Sequence, residues 1–151
     1  MSVIKFSNKY AERLYNEWIT HGKIIIGTDF DSTISPYGAI ENLQDIEDCK
    51  QLLRDCKLVG CYIVVHTACN VDRYENIKQY CAEQGIIVDT INETPIPELP
   101  FGKNGSKPYC NIFLDDRAGF IQALEILEEV MYKVRSYKAG KKLDNPGSTE
   151  F

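Results

Sequence analysis

The segment Lys23-Ile24-Ile25-Ile26-Gly27-Thr28 shows no alternation of apolar and polar residues. A strand with one wet face alternates; a continuous β-branched run fits a strand covered on both faces, as in a parallel sheet. Cys61-Tyr62-Ile63-Val64-Val65-His66 repeats the pattern, and Ile86-Ile87-Val88 and Asn111-Ile112-Phe113-Leu114 are shorter versions of it. The intervals carry helical spacing instead. Ala11, Leu14, Tyr15, Trp18 and Ile19 predict a helix over residues 8–20, with Ser7 or Asn8 as its N-cap and Gly22 as its stop. Residues 40–58 and 71–84 read as two further helices, the second ending at Gly85, and Ile121, Leu124, Leu127 and Met131 mark a last one with Leu and Met inward. Residues 91–109, with Pro95, Pro97, Pro100 and Pro108, read as a loop longer than most connections. Strands alternating with helices predict an α/β protein, a three-layer Rossmann-like fold with a mostly parallel central sheet.

Size and charge narrow the function classes. A chain of 151 residues with 44% hydrophobic residues supports one domain with a real core, which excludes disordered and fibrous classes. No apolar run approaches the ~20 residues of a membrane helix, and the charges scattered through the first residues are not those of a signal peptide. Seventeen Lys and Arg against 22 Asp and Glu give a net charge of −5, which disfavours a protein that simply coats nucleic acid. Six cysteines, Cys49, Cys56, Cys61, Cys69, Cys81 and Cys110, form no CxxC pair, and only His21 and His66 supplement them, so neither a zinc site nor a disulfide framework is expected. They read as reduced, mostly buried thiols of a cytoplasmic protein. Lys133, Arg135, Lys138, Lys141 and Lys142 read as the solvated end of the last helix, their cations suited to its negative pole, ahead of a polyanion contact. Residues 140–151 read as a flexible tail, leaving a domain over 1–139.

Parallel α/β sheets carry function at the carboxyl ends of their strands. The first apolar run ends in Asp29-Phe30-Asp31-Ser32-Thr33, the second in His66-Thr67, and the last is preceded by Lys107 and ends in Asp115-Asp116. If the strands are parallel, four carboxylates, hydroxyls and an ammonium converge on one edge. Crowded carboxylates repel, so either some are protonated or a hard cation such as Mg²⁺ lies among them. A Lys and a Thr hydroxyl beside such an ion make a receptor for a phosphoryl group. Two competing motifs fail. A calcium loop counted from Asp29 has Ile34 where Gly is needed and Ile40 where Glu is needed, and a phosphate loop ending at Gly102-Lys103 has Pro97 in place of its first Gly. Phe30, between two carboxylates, is expected to point away from them.

The order Asp29-x-Asp31-x-Thr33, Thr67, Lys107, Asp115-Asp116 resembles the four motifs of the haloacid dehalogenase (HAD) superfamily of phosphohydrolases over residues 23 to about 125. Asp-Phe-Asp-Ser-Thr stands where Asp-x-Asp-Gly-Thr is commoner. The stretch from Ser106-Lys107-Pro108 to Asp115-Asp116-Arg117-Ala118 is similar to that of small capless members of bacterial and phage type, as is Gly85-Ile86-Ile87-Val88-Asp89-Thr90-Ile91-Asn92. The second motif departs, with Cys69 where many relatives have Arg and Arg73 further along. The resemblance implies a phosphomonoester hydrolase in which Asp29 is the nucleophile, forming an aspartyl-phosphate, and Asp31 the general acid and base. It also implies Mg²⁺ held by Asp29, the Asp31 carbonyl, Asp115 and Asp116, with Thr67, Lys107 and Thr33 at the phosphoryl oxygens and Thr33 also orienting the turn. Superfamily caps are inserted after the first motif or between the second and third; the 33 residues between Thr33 and Thr67 and the 39 between Thr67 and Lys107 are used up by core elements. An open site implies a large or polymeric phosphorylated substrate, nucleotides or nucleic-acid ends among them, or closure by a neighbouring subunit in an oligomer. Residues 34–39 and 91–109 are expected to form its rim. The alternatives are a phosphoryl-sensing module, since receiver domains also use Asp, Thr and Lys around Mg²⁺, and a non-catalytic binding subunit on the same fold.

Overall fold

A computed structural model describes residues 4–37, 42–95 and 109–144. The chain runs α1 (Lys9–His21), β1 (Ile24–Asp29), α2 (Leu43–Leu58), β2 (Cys61–His66), a 3-10 turn (Val71–Arg73), α3 (Tyr74–Glu83), β3 (Thr90–Ile91), β4 (Ile112–Leu114) and α4 (Phe120–Asp144). The four strands pair in the order β3-β2-β1-β4, all parallel, and helices flank the sheet. This is the α/β, Rossmann-like architecture that the unalternating runs predict. β1 and β2 are buried along nearly their whole length, as strands inside a parallel sheet must be.

The strand order explains how the two faces are covered. The chain steps from β1 to β2 to β3, then returns past β1 to lay down β4 on the other side. With right-handed crossovers, α2 and α3 fall on one face. The packing agrees. Ile24, Ile26, Ile63, Val65 and Leu114 share one core with residues of all four helices, Trp18, Leu53, Ile77 and Leu127 among them. Ile25 and Val64, on the opposite face, pack among the described residues with Cys110, Tyr62 and Tyr109. Gly27 sits on that face too. A Cβ there would lie 2.6 Å from Cys110 Sγ and 2.9 Å from His66 Nε2, so only glycine admits this packing.

Local chemistry sets the boundaries. Asn8 caps α1, its side chain accepting from the N–H groups of Tyr10 and Ala11, and Gly22 closes it at φ 76°. The third strand lies at Thr90–Ile91, not at residues 86–88. Gly85 ends α3 in the left-handed region and Ile86 N–H returns to Cys81 O, so those residues are spent on the helix cap. Asp89 then meets β2 with its side chain. Its Oδ2 accepts from Ile63 N–H at 2.8 Å and pairs with Lys57 Nζ at 2.6 Å. The single helix predicted over 71–84 is split into a 3-10 turn and α3.

The end of the chain also departs from expectation. α4 continues through Gly140 to Asp144, so the predicted tail over 140–151 is helical in its first residues; 145–151 lie outside the described residues. Nor is the basic stretch a uniformly solvated end. Lys138 is buried and its ammonium donates to Gly22 O at 3.0 Å and Val59 O at 2.8 Å, the carbonyls where α1 and α2 finish. Lys133 pairs with Glu129 at 2.6 Å. No helix of the described residues is long and apolar enough to cross a membrane. All six cysteines are free thiols and five are buried, which pushes Cys49 and Cys61 up to about 12 and Cys81 up to about 11.

Candidate functional site

The return of the chain past β1 makes the gap between the ends of β1 and β4 the switch point of the sheet, where open α/β folds form their crevice. β1 ends on Asp29, and Asp115-Asp116 follow directly after β4. Asp29, Asp115 and Asp116 each bring a carboxylate oxygen to within 4.8 Å of the others. Asp29 responds to this setting. Burial, then the charges of Asp115 and Asp116 and a hydrogen bond with Asp116, push it up to about 6, against the opposing pull of the Phe30 N–H.

Beyond Asp29 the chain folds into a tight turn. The Phe30 carbonyl accepts from the N–H groups of Thr33, Ile34 and Ser35, and Ser32 N–H donates to Ser35 O. Phe30 does point away from the carboxylates, as expected. It is buried in the main core, edge-on to Tyr80. Ser32 occupies the left-handed region at φ 63°, where glycine is at ease and an L-residue is strained by about 1 kcal/mol. Ser32 Oγ, donating to Tyr37 O at 3.1 Å, recovers part of the cost.

Thr33 has a different task from the predicted phosphoryl contact. It is fully buried, its hydroxyl donates to Asp116 Oδ1 at 3.3 Å and accepts from Asp116 N–H at 3.1 Å. With both roles engaged inside the protein, the hydroxyl ties the β1 turn to the acidic pair and positions Asp116. Asp31 also stands apart: its carboxylate is not in the cluster of three. Asp115 is held by Arg117 N–H on Oδ1 at 2.8 Å.

Thr67, directly after β2, accepts from Cys69 N–H at 3.2 Å. Its placement depends on a residue that strand-end reasoning did not single out. Asn92 Oδ1 accepts from Thr67 N–H at 3.0 Å, and Nδ2 donates to Thr67 O and to Tyr74 Oη, each at 2.8 Å. Asn92 holds φ 58°, a conformation Asn tolerates better than most residues. In the sequence Asp89 and Thr90 separate Asn92 from the apolar run 86–88, so no strand-end pattern marks it. Lys107 lies outside the described residues, as do residues 38–39 and 96–108 of the predicted rim.

All-oxygen donors at this spacing suit a hard divalent cation such as Mg²⁺, and the raised Asp29 shows the charge that such an ion would neutralise. Between Thr33 and Thr67, and between Thr67 and β4, the described residues form only α2, β2, the 3-10 turn, α3 and β3.

No protein-family model matches the chain, and no curated protein matches it. Among solved structures, the fold is similar to that of a conserved protein from Bacteroides thetaiotaomicron, with a TM-score of 0.52 and 18% identity over 74% of this chain and 91% of that one. At that identity the likeness bears on the fold, and it agrees with the parallel α/β architecture described above.

Proposed function

We propose that this protein is a Mg²⁺-dependent phosphomonoester hydrolase of the HAD type, working through an aspartyl-phosphate on Asp29. The observation that carries the reading is the meeting of Asp29, Asp115 and Asp116 at the switch point, with Asp31 close in sequence yet outside the cluster. A carboxylate that is both nucleophile and ion ligand must sit inside such a cluster. One that gives and takes protons must sit outside it.

In this mechanism Asp29 attacks phosphorus in line, and the bond to the leaving oxygen breaks as Asp31 gives that oxygen its proton. Asp31, now ionised, takes a proton from the water that attacks the aspartyl-phosphate, which releases phosphate and restores Asp29. Asp29, Asp115 and Asp116 would hold Mg²⁺, which when bound offsets the charge on the phosphoryl oxygens. Thr67 Oγ1 donates to one of those oxygens, held there by Asn92 through the Thr67 backbone. Lys107 takes the role of the second cation. Thr33 keeps Asp116 in position.

The test is hydrolysis of p-nitrophenyl phosphate with and without Mg²⁺. Asp29→Asn should lose at least about a thousandfold in kcat, and Asp31→Asn about 10²–10⁴-fold, the usual worth of a positioned proton donor. An Asp29→Asn variant that keeps wild-type turnover in saturating Mg²⁺ refutes the mechanism. A beryllofluoride adduct that persists for hours on a protein without turnover would favour the sensing module instead.

A further inference from the structure

Beside the acidic cluster the surface opens into a cavity of about 540 Å³, whose polar lining is Ser32, Asn42, Asp45, Asp116, Arg117 and Gln122. Three parts of the chain build it: the turn after β1, the start of α2, and the link from β4 into α4. Asp116 belongs both to this cavity and to the carboxylate cluster. A molecule whose phosphoryl group lies at Asp29 therefore has this space for the rest of its structure.

The lining groups are not equally free. Asn42 Nδ2 donates to Ser32 O at 2.8 Å, and Asp116 is tied to Thr33. Arg117 commits its backbone N–H to Asp115 Oδ1, while its exposed side chain is in none of the ion pairs among the described residues. Among the described residues it is the sole cation in the cavity lining, and it directly follows Asp116. An exposed Arg is ordinary; one that borders an open cavity beside the proposed phosphoryl site is not.

We propose that this cavity is the leaving-group subsite and that Arg117 is its specificity-determining residue, taking an acidic group on the leaving group. The proposal rests on the phosphoester-hydrolase reading. The guanidinium presents a planar fork that meets a carboxylate or a phosphate through two parallel hydrogen bonds, which an ammonium cannot reproduce. Asp45 lines the same space from α2 and repels acidic groups placed on its side. The acidic group therefore lies toward α4, where Gln122 offers an amide N–H. The favoured substrates are phosphoesters with a second acidic function, and neutral alcohols are the poor leaving groups.

Two matched pairs separate the sources of that function: 3-phosphoglycerate against glycerol 3-phosphate for a carboxylate, and fructose 1,6-bisphosphate against fructose 6-phosphate for a second phosphate. The wild-type protein should prefer the acidic member of at least one pair by about tenfold in kcat/KM. Arg117→Gln should erase that preference through KM, and Arg117→Lys should restore only part of it, since a point charge replaces the fork. Binding read by thermal shift on Asp31→Asn measures the same preference without turnover. If no phosphoester is hydrolysed yet Arg117→Gln abolishes preferential binding of the acidic member, the hydrolase reading fails and the subsite stands. If the preference is absent from both turnover and binding, or is unchanged in Arg117→Gln, the subsite assignment is overturned.

Discussion

Replacing Asp29 by Asn should make the metal-free protein more stable at neutral pH, against the usual expectation for a site residue. Asp29 is raised from 3.8 to about 6, first by burial and then by the Asp115 and Asp116 charges. For an acid whose folded value lies above its unfolded one, the folded state holds the proton more tightly. Its contribution is favourable below about pH 4, is lost as pH rises through about 6, and stays lost above that. Two units correspond to about 3 kcal/mol at about 1.4 kcal/mol per unit. The carboxylate is only half-buried, so solvent screening brings this to about 1–2 kcal/mol. Two charges at the cluster's 4.8 Å limit repel by about 3 kcal/mol at an effective dielectric of ~20, which allows a penalty of this size.

Asparagine keeps the shape and the acceptor for Phe30 N–H and removes the charge. At pH 7.5 without divalent cations, Asp29→Asn should raise Tm by about 2–8 °C, at ~2–4 °C per kcal/mol for a chain of this length. At pH 4.5, where folded Asp29 is protonated but the unfolded carboxyl is largely ionised, the gain should fall to about a third of its value at pH 7.5. Adding Mg²⁺ at pH 7.5 should stabilise the wild type by about 2.7 kcal/mol at a concentration 100 times its Kd, and Asp29→Asn much less, closing the gap. Scanning calorimetry at the two pH values, with EDTA or with Mg²⁺, measures all four corners. If Asp29→Asn is less stable than wild type at pH 7.5 in EDTA, or if its gain is the same at both pH values, the account of the cluster as a charge-strained site is wrong.

Other residues make independent predictions. Gly27→Ala should cost about 1–3 kcal/mol, because the new methyl group meets Cys110 Sγ and His66 Nε2 inside 3 Å; Gly27→Ala with Cys110→Ala should recover part of this, and additive costs in urea unfolding would contradict the packing. Asn92→Gly keeps access to φ 58° but loses the clamp on Thr67, costing about 1–2 kcal/mol, and Asn92→Ala should cost about 1 kcal/mol more through backbone strain; equal losses would sink the division between clamp and conformation.

The architecture was legible because it follows from which residues avoid water. Ile24 to Ile26 and Ile63 to Val65 are apolar without alternation, and no arrangement except a doubly covered strand satisfies them. Once those strands are parallel, Asp29 and Asp115-Asp116 must come to one edge. What the sequence did not reveal depends on how individual polar groups are shared. Ile86-Ile87-Val88 carries strand propensity, yet the α3 cap takes Ile86 N–H and leaves Ile87 mostly exposed; pairing with β2 waits for Asp89 and the residues after it. Lys138 sits within a basic stretch but is buried against two helix-terminal carbonyls, a choice made by three segments distant in sequence.

The same distinction separates the two Thr residues of the site. On paper Thr33 and Thr67 are equivalent: each is a hydroxyl just after an apolar strand, near carboxylates, suited to a phosphoryl oxygen. Thr33 follows a turn in which Phe30 and Ile34 are pulled into the core, and this carries its hydroxyl inward with them, where it bonds Asp116. Thr67 follows no such anchor. Asn92 grips its backbone rather than its side chain, whose Oγ1 accepts from Cys69 N–H. One threonine therefore braces the acidic cluster through its hydroxyl, and the other is held through its backbone. The difference lies in the neighbours at 30, 34 and 92, not in the threonines, so spacing motifs on their own assign both residues the same role.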